Sequence, residues 1–236
     1  MKLVIANWKM NPLTLNEAFR LVKKYQKIKK INIWIAPPAI FLKPLIDKFK
    51  NCIFGAQNIY FEEKGAYTGE ISVKMIKNIG ARFVIINHSE RRKLGENLEI
   101  ANKKIDIVLK NNLKAVVCLG EEKQITNLSK LKTEWQKQFK ILFKNIDLKN
   151  KNILIAYEPT WAISTYRQGS VPKEIVSEFI QFVKNWNIEN RVIYGGSVFL
   201  ETIENYLNLP LLGFLIGSQS LIPKNFIKIC QKINSK

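Results

Sequence analysis

Five short stretches carry the residue types from which chemistry can be built. Asn7-Trp8-Lys9-Met10-Asn11 offers an amide and a lysine, and Asn87-His88-Ser89-Glu90-Arg91-Arg92 holds the single histidine of the chain. Tyr157-Glu158-Pro159-Thr160-Trp161 supplies a carboxylate, while Gly195-Gly196-Ser197 and Gly217-Ser218 are glycine-led turns. A carboxylate can move a proton, an imidazole can donate to an oxygen, and a lysine can hold negative charge. Glycine turns present backbone N–H groups to an anion such as phosphate. Each feature also has a plain structural counterpart. Glu158 fits an ordinary salt-bridged carboxylate, His88 a satisfied structural histidine, and the glycines tight turns. Lys9 fits either a solvated lysine or a Schiff-base nucleophile.

The elements that must position these stretches are legible from hydrophobic period. Eight short apolar runs begin near Leu3, Ile31, Cys52, Phe83, Ala115, Ile153, Val192 and Leu212. Several, such as Phe83-Val84-Ile85-Ile86, are continuously apolar, as strands of a parallel sheet covered on both faces should be. Between them the period becomes helical, with stripes at Leu98, Ala101, Ile105, Val108 and Leu109 and at Leu131, Trp135, Phe139, Leu142, Phe143 and Ile146. Thr14 and Glu17 predict a capping box before a stripe of Ala18, Phe19, Val22 and Tyr25, and Pro223 suits a first helical turn. Eight strand-helix units close into a (β/α)₈ barrel or open into a doubly wound sheet. In either case ligands bind beyond the carboxyl ends of the strands, where the five stretches fall. No linker or change of composition divides residues 1–236, so one domain is expected.

Composition narrows the classes of function. With 47% hydrophobic and 24% charged residues the chain reads as globular, and no apolar run is long enough to span a bilayer. Cys52, Cys118 and Cys230 are odd in number and far apart, which argues against a disulfide framework or a zinc site and for a reducing, cytoplasmic setting. No P-loop or dinucleotide fingerprint is present, so neither cofactor nor metal is expected. The net charge of +19 makes an anionic partner worth weighing. Lysines lie along most helices without a nucleic-acid-binding motif, so no nucleic-acid partner and no membrane contact are expected.

The strings in this order resemble the triosephosphate isomerase family. Asn-Trp-Lys-Met-Asn, His-Ser-Glu-Arg-Arg, Tyr-Glu-Pro-x-Trp-Ala-Ile and Tyr-Gly-Gly-Ser-Val match family signatures from Asn7 to Gly217, and Gln57-Asn58 with Gly65-Ala66-Tyr67-Thr68-Gly69-Glu70 match its third loop. The resemblance implies a single-domain (β/α)₈ barrel and a cofactor-free interconversion of D-glyceraldehyde 3-phosphate and dihydroxyacetone phosphate in glycolysis and gluconeogenesis. It implies that Glu158 is the base, its proton affinity raised when a lid excludes water. It also implies that a neutral His88, with Asn7 and Lys9, stabilises an enediolate, with Glu90 a buried supporting partner near Lys9. By the same resemblance Ser164, Ser197, Gly217 and Ser218 bind phosphate along with Asn7 and Lys9, residues 159–169 form the lid, and Gln57, Asn58 and Thr68 lie at a homodimer interface.

The chain departs from the family pattern in places. Ser164-Thr165-Tyr166-Arg167 stands where Gly-Thr-Gly-Lys is usual, and Gln168-Gly169 where Thr-Ala is common. Asn87 and Ser218 each stand where the family has glycine.

Overall fold

A computed structural model describes residues 1–162, 170–188 and 190–235. Strands β1 (Leu3–Asn7), β2 (Asn32–Ala36), β3 (Ile53–Ala56), β4 (Phe83–Ile86), β5 (Lys114–Leu119), β6 (Ile153–Tyr157), β7 (Val192–Tyr194) and β8 (Gly213–Ile216) pair in parallel in sequence order, and β8 returns to β1. The sheet is thus a closed barrel, which settles the choice that periodicity left open. Ladder register runs from Leu3 beside Asn32 on one side of β1 to Leu3 beside Gly213 on the other.

Continuous apolarity in the strands has a direct cause. Leu3, Ile5, Phe83, Ile85, Val116, Leu154, Ile193 and Leu215 fill the inside of the barrel. Their sequence neighbours, Val4, Ala6, Val84, Ile86, Val117, Ile153, Ile155 and Ile216, pack outward in the larger core beneath the helices. Both faces are dry, so alternation with polar residues is lost.

The covering helices are α1 (Leu15–Tyr25), α2 (Ala39–Lys48), α3 (Val73–Asn78), α4 (Ser89–Lys93), α5 (Leu98–Lys110), α6 (Leu128–Leu142), α7 (Lys173–Lys184) and α8 (Pro223–Asn234). The capping box is present at Thr14 and Glu17, and the face buried from α1 is Ala18, Leu21, Val22 and Tyr25, with Phe19 only half-buried. Helix α6 ends at Leu142, so Ile146 continues the apolar stripe from a turn rather than from the helix. Asn97 and Asn127 cap α5 and α6 by accepting from the N–H three residues on. Among the described residues no helix is long and apolar enough to cross a membrane.

Candidate active site

The carboxyl ends of β1, β4, β6, β7 and β8 converge on one cavity lined by Asn7, Lys9, His88, Glu158, Gly195, Gly196, Gly217 and Ser218, with Val198, Phe199, Leu215 and Gln219. Barrel geometry delivers this convergence, because parallel strands end on the same rim. Lys9 adopts a left-handed φ of 54°. Such a backbone needs external support in a residue with a Cβ. Asn7 Oδ1 accepts from the Lys9 N–H at 3.1 Å, and Gln57 Nε2 donates to the Lys9 carbonyl at 2.8 Å and to the Ala36 carbonyl at 2.8 Å. The Lys9 ammonium turns toward Glu90 at 2.7 Å. Gly217 sits so close that a Cβ there would lie 3.1 Å from Lys9 Cε. Glu90 is therefore the partner of Lys9, but its side chain is 43% exposed rather than buried, because it projects from the first turn of α4 toward the open rim.

His88 sits at the N-cap of α4, where its Nδ1 accepts from the Glu90 N–H at 3.2 Å. With Nδ1 accepting, it is Nε2 that offers a hydrogen to a partner. Nε2 donates to Glu158 Oε1 at 2.9 Å, and the Ser89 N–H donates to Glu158 Oε2 at 3.2 Å. Glu158 is buried at 3% exposure. Burial pushes its carboxyl toward the neutral form, yet His88, the Ser89 N–H and the nearby Arg92 guanidinium outweigh that and hold it below the ordinary carboxylate range. While the carboxylate rests on these donors, they rather than burial set the direction of its shift. Gly120, at the end of β5, packs against the Glu158 main chain, where a Cβ would lie 2.5 Å from its carbonyl carbon.

The turns after β7 and β8 stand between Glu158 and Lys9, since a Cβ on Gly195 would lie 3.6 Å from Glu158 Cβ. Ser197 is buried and its hydroxyl donates to the Ala162 carbonyl. Gly217 precedes a 3-10 turn, Ser218–Leu221. Ser164 and most of the expected lid, residues 163–169, lie outside the described residues. The described start of that segment, Thr160–Ala162, is a buried 3-10 turn. Gln57 and Asn58 make contacts within their own chain, since Asn58 Oδ1 accepts from Lys104 Nζ at 2.7 Å. Thr68 is exposed.

Two groups near the cavity have no role in the sequence reading, Glu121 because it was not singled out and Arg92 although it ends the string after β4. Glu121 is 1% exposed and accepts from Trp161 Nε1 at 2.8 Å, from Trp135 Nε1 at 3.1 Å and from the Tyr157 hydroxyl at 3.3 Å. It lies two residues beyond β5, so the rule that selected residues just after each apolar run would have found it. Arg92 donates to the Gly120 carbonyl at 2.8 Å and to Thr160 Oγ1 at 3.0 Å, tying α4 to the ends of β5 and β6. Among the described residues no group of three or more His, Cys, Asp or Glu side chains is placed to hold a metal ion.

Comparison with known proteins identifies the family. The family model for triosephosphate isomerase matches residues 2–233. A triosephosphate isomerase of Wolbachia sp. subsp. Brugia malayi is 38% identical over 98% of this chain and 97% of its own length. Its counterpart from Mycoplasma capricolum subsp. capricolum is 36% identical over 96% of each, and that from Natranaerobius thermophilus 34% identical over 97% and 94%. With its closed eight-stranded barrel, its rim of Asn7, Lys9, His88 and Glu158, and a family match over nearly its whole length, the chain belongs to the triosephosphate isomerase family.

Proposed function

We propose that this chain interconverts D-glyceraldehyde 3-phosphate and dihydroxyacetone phosphate by proton transfer through an enediolate. The observation that carries the reading is the contact of Glu158 with His88, 2.9 Å apart in a buried pocket. Substrate entering the cavity takes the His88 Nε2–H as a donor to its carbonyl oxygen. The same event releases the Glu158 carboxylate, which loses a stabilising partner and becomes a stronger base. Glu158 takes the proton from the carbon beside the carbonyl, becoming a carboxylic acid and leaving an enediolate. As the hydroxyl proton on one enediolate oxygen passes to the other, Glu158 returns its proton to the neighbouring carbon, which leaves the isomeric carbonyl and regenerates the carboxylate. His88 Nε2–H and the Lys9 ammonium stabilise charge on the two oxygens, and a neutral imidazole donates without surrendering a full positive charge; this family is the usual illustration of that arrangement.

Asn7 and Gln57 hold Lys9 in its left-handed conformation, and Glu90 keeps the ammonium at the rim until substrate competes for it. Backbone N–H groups of Ser197, Gly217 and Ser218, with Ser164, cradle the phosphate. Residues 159–169 close over it and exclude water, which protects an enediolate from eliminating phosphate. No cofactor takes part in this scheme. A homodimer completes the reading: Met10, Leu13 and Tyr67 leave 87%, 84% and 42% of their surface exposed in the first and third loops, from which Thr68 would reach toward Asn7 and Lys9 of a second copy. A cytoplasmic setting accords with three free cysteines.

The test is isomerisation of glyceraldehyde 3-phosphate by the purified chain in a coupled assay, alongside Glu158→Gln. Rapid turnover cut by orders of magnitude in the variant is the expected result. A folded wild type without activity, or a variant that keeps it, refutes the reading.

A further inference from the structure

We propose that the buried Glu96–Lys104 ion pair is a positioning pair that fixes His88 by way of the Asn87 N–H. The proposal rests on the reading of His88 as the group that polarises the substrate. Strand β4 makes its last ladder pairing at Ile86, so the next residue, Asn87, has no strand partner for its N–H. Asn87 is fully buried and adopts a left-handed φ of 59°, a conformation that asparagine tolerates better than most residues but that still needs support. Two contacts hold it. Its side-chain Nδ2 donates to the Cys118 carbonyl at 2.8 Å, and its backbone N–H donates to Glu96 Oε1 at 3.3 Å.

The Glu96 carboxylate is itself held from the other side. Its Oε2 accepts from Lys104 Nζ at 2.6 Å and from Arg91 Nε at 3.4 Å. The side chains of Glu96 and Lys104 are 2% and 4% exposed. Charges at that depth forfeit hydration that packed apolar residues would never have had, so stability alone is a poor reason to keep them there. What an apolar pair lacks is an acceptor for the buried Asn87 N–H; Lys104 balances the charge of the acceptor that is present. Lys104 also donates to Asn58 Oδ1, so one ammonium joins the segment after β3 to the segment that carries His88. His88 follows Asn87 directly, and any rotation of that peptide moves the imidazole relative to Glu158. An error of about 1 Å in such a contact costs on the order of a hundredfold in rate.

The experiment compares two variants of the full chain that are both free of the buried charges. Glu96→Gln with Lys104→Met keeps an oxygen for the Asn87 N–H, whereas Glu96→Leu with Lys104→Met removes it. Because His88 is the only histidine, its ring ¹⁵N signals report its tautomer and contacts without ambiguity. The variant with the acceptor is expected to keep those signals and a kcat within about threefold of wild type. The variant without it is expected to shift or broaden them and to lose about ten- to a hundredfold in kcat, with KM changed less than about threefold. If both variants show the same His88 spectrum and the same kcat while differing only in melting temperature, the pair is merely structural and the proposal is overturned. The spectrum is read without substrate. Spectra that separate in a chain that fails to isomerise triose phosphates therefore uphold the positioning and refute only the proposed function.

Discussion

Glu121→Gln isolates what a single buried carboxylate does for the start of the segment beyond β6. In the native site one oxygen accepts from Trp161 Nε1 at 2.8 Å and the other from Trp135 Nε1 at 3.1 Å, with the Tyr157 hydroxyl 3.3 Å from both. A glutamine has one acceptor. If its oxygen stays on Trp161, its NH₂ group faces the Trp135 N–H, donor against donor. The loss comprises one hydrogen bond to a charged group, about 1.5–3 kcal/mol, and an orphaned indole N–H, about 1–3 kcal/mol. The neutral amide is easier to bury than the carboxylate, which offsets part of this, leaving a net destabilisation of about 2–4 kcal/mol. Urea unfolding at a fixed protein concentration, followed by tryptophan fluorescence, measures it. Repeating the substitution in a Trp135→Phe background removes the opposing donor, so the two changes should couple by about 1–2 kcal/mol. Strict additivity, or a cost of Glu121→Gln below about 0.5 kcal/mol, would refute the donor-acceptor reasoning.

Acid should weaken the fold through Glu158. Its carboxyl lies below the ordinary value when folded, so its charge contributes stability above about pH 4.3, the unfolded value, and that contribution is lost as pH falls through the folded value. The gap in unfolding free energy between wild type and Glu158→Gln should narrow on acidification; a gap that widens contradicts the direction. Thiol chemistry should be selective: burial pushes Cys230 up to about 12, burial and then Glu158 push Cys118 well above its ordinary value, and only Cys52 is part-exposed. One thiol per native chain should react with a disulfide reagent at pH 8 and three after denaturation, and fast reaction of a second would mean that the core opens. Thr68→Arg should give inactive monomers by sedimentation and assay, and a fully active monomer would remove the third loop from the site.

Both the element order and most of the rim were legible because each is a local property. Strand starts in the sequence fall within about a residue of those in the fold, since β-branched runs bounded by turns and helical stripes are written in neighbouring residues. Asn7, Lys9, His88, Glu158 and the two glycine turns were found because parallel strands end on one face and their next residues necessarily share it. Glu121 obeys the same rule and escaped only because the end of β5 was passed over.

What no local pattern contains is which partner each side chain meets. The sequence by itself determined a strand-helix repeat, the residues that share one rim of the barrel and the capping of α1. Only the tertiary structure decided that the sheet closes with β8 on β1. It alone decided that Gln57 props the left-handed Lys9 and that Glu90 is half-exposed. The direction of the Glu158 shift belongs with these, because burial and hydrogen bonding oppose each other there and the winner depends on donors 69 and 70 residues away at Ser89 and His88. Periodicity records whether a residue faces core or water, whereas a pKa or a left-handed backbone is set by atoms within about 3–4 Å, brought there from any distance along the chain.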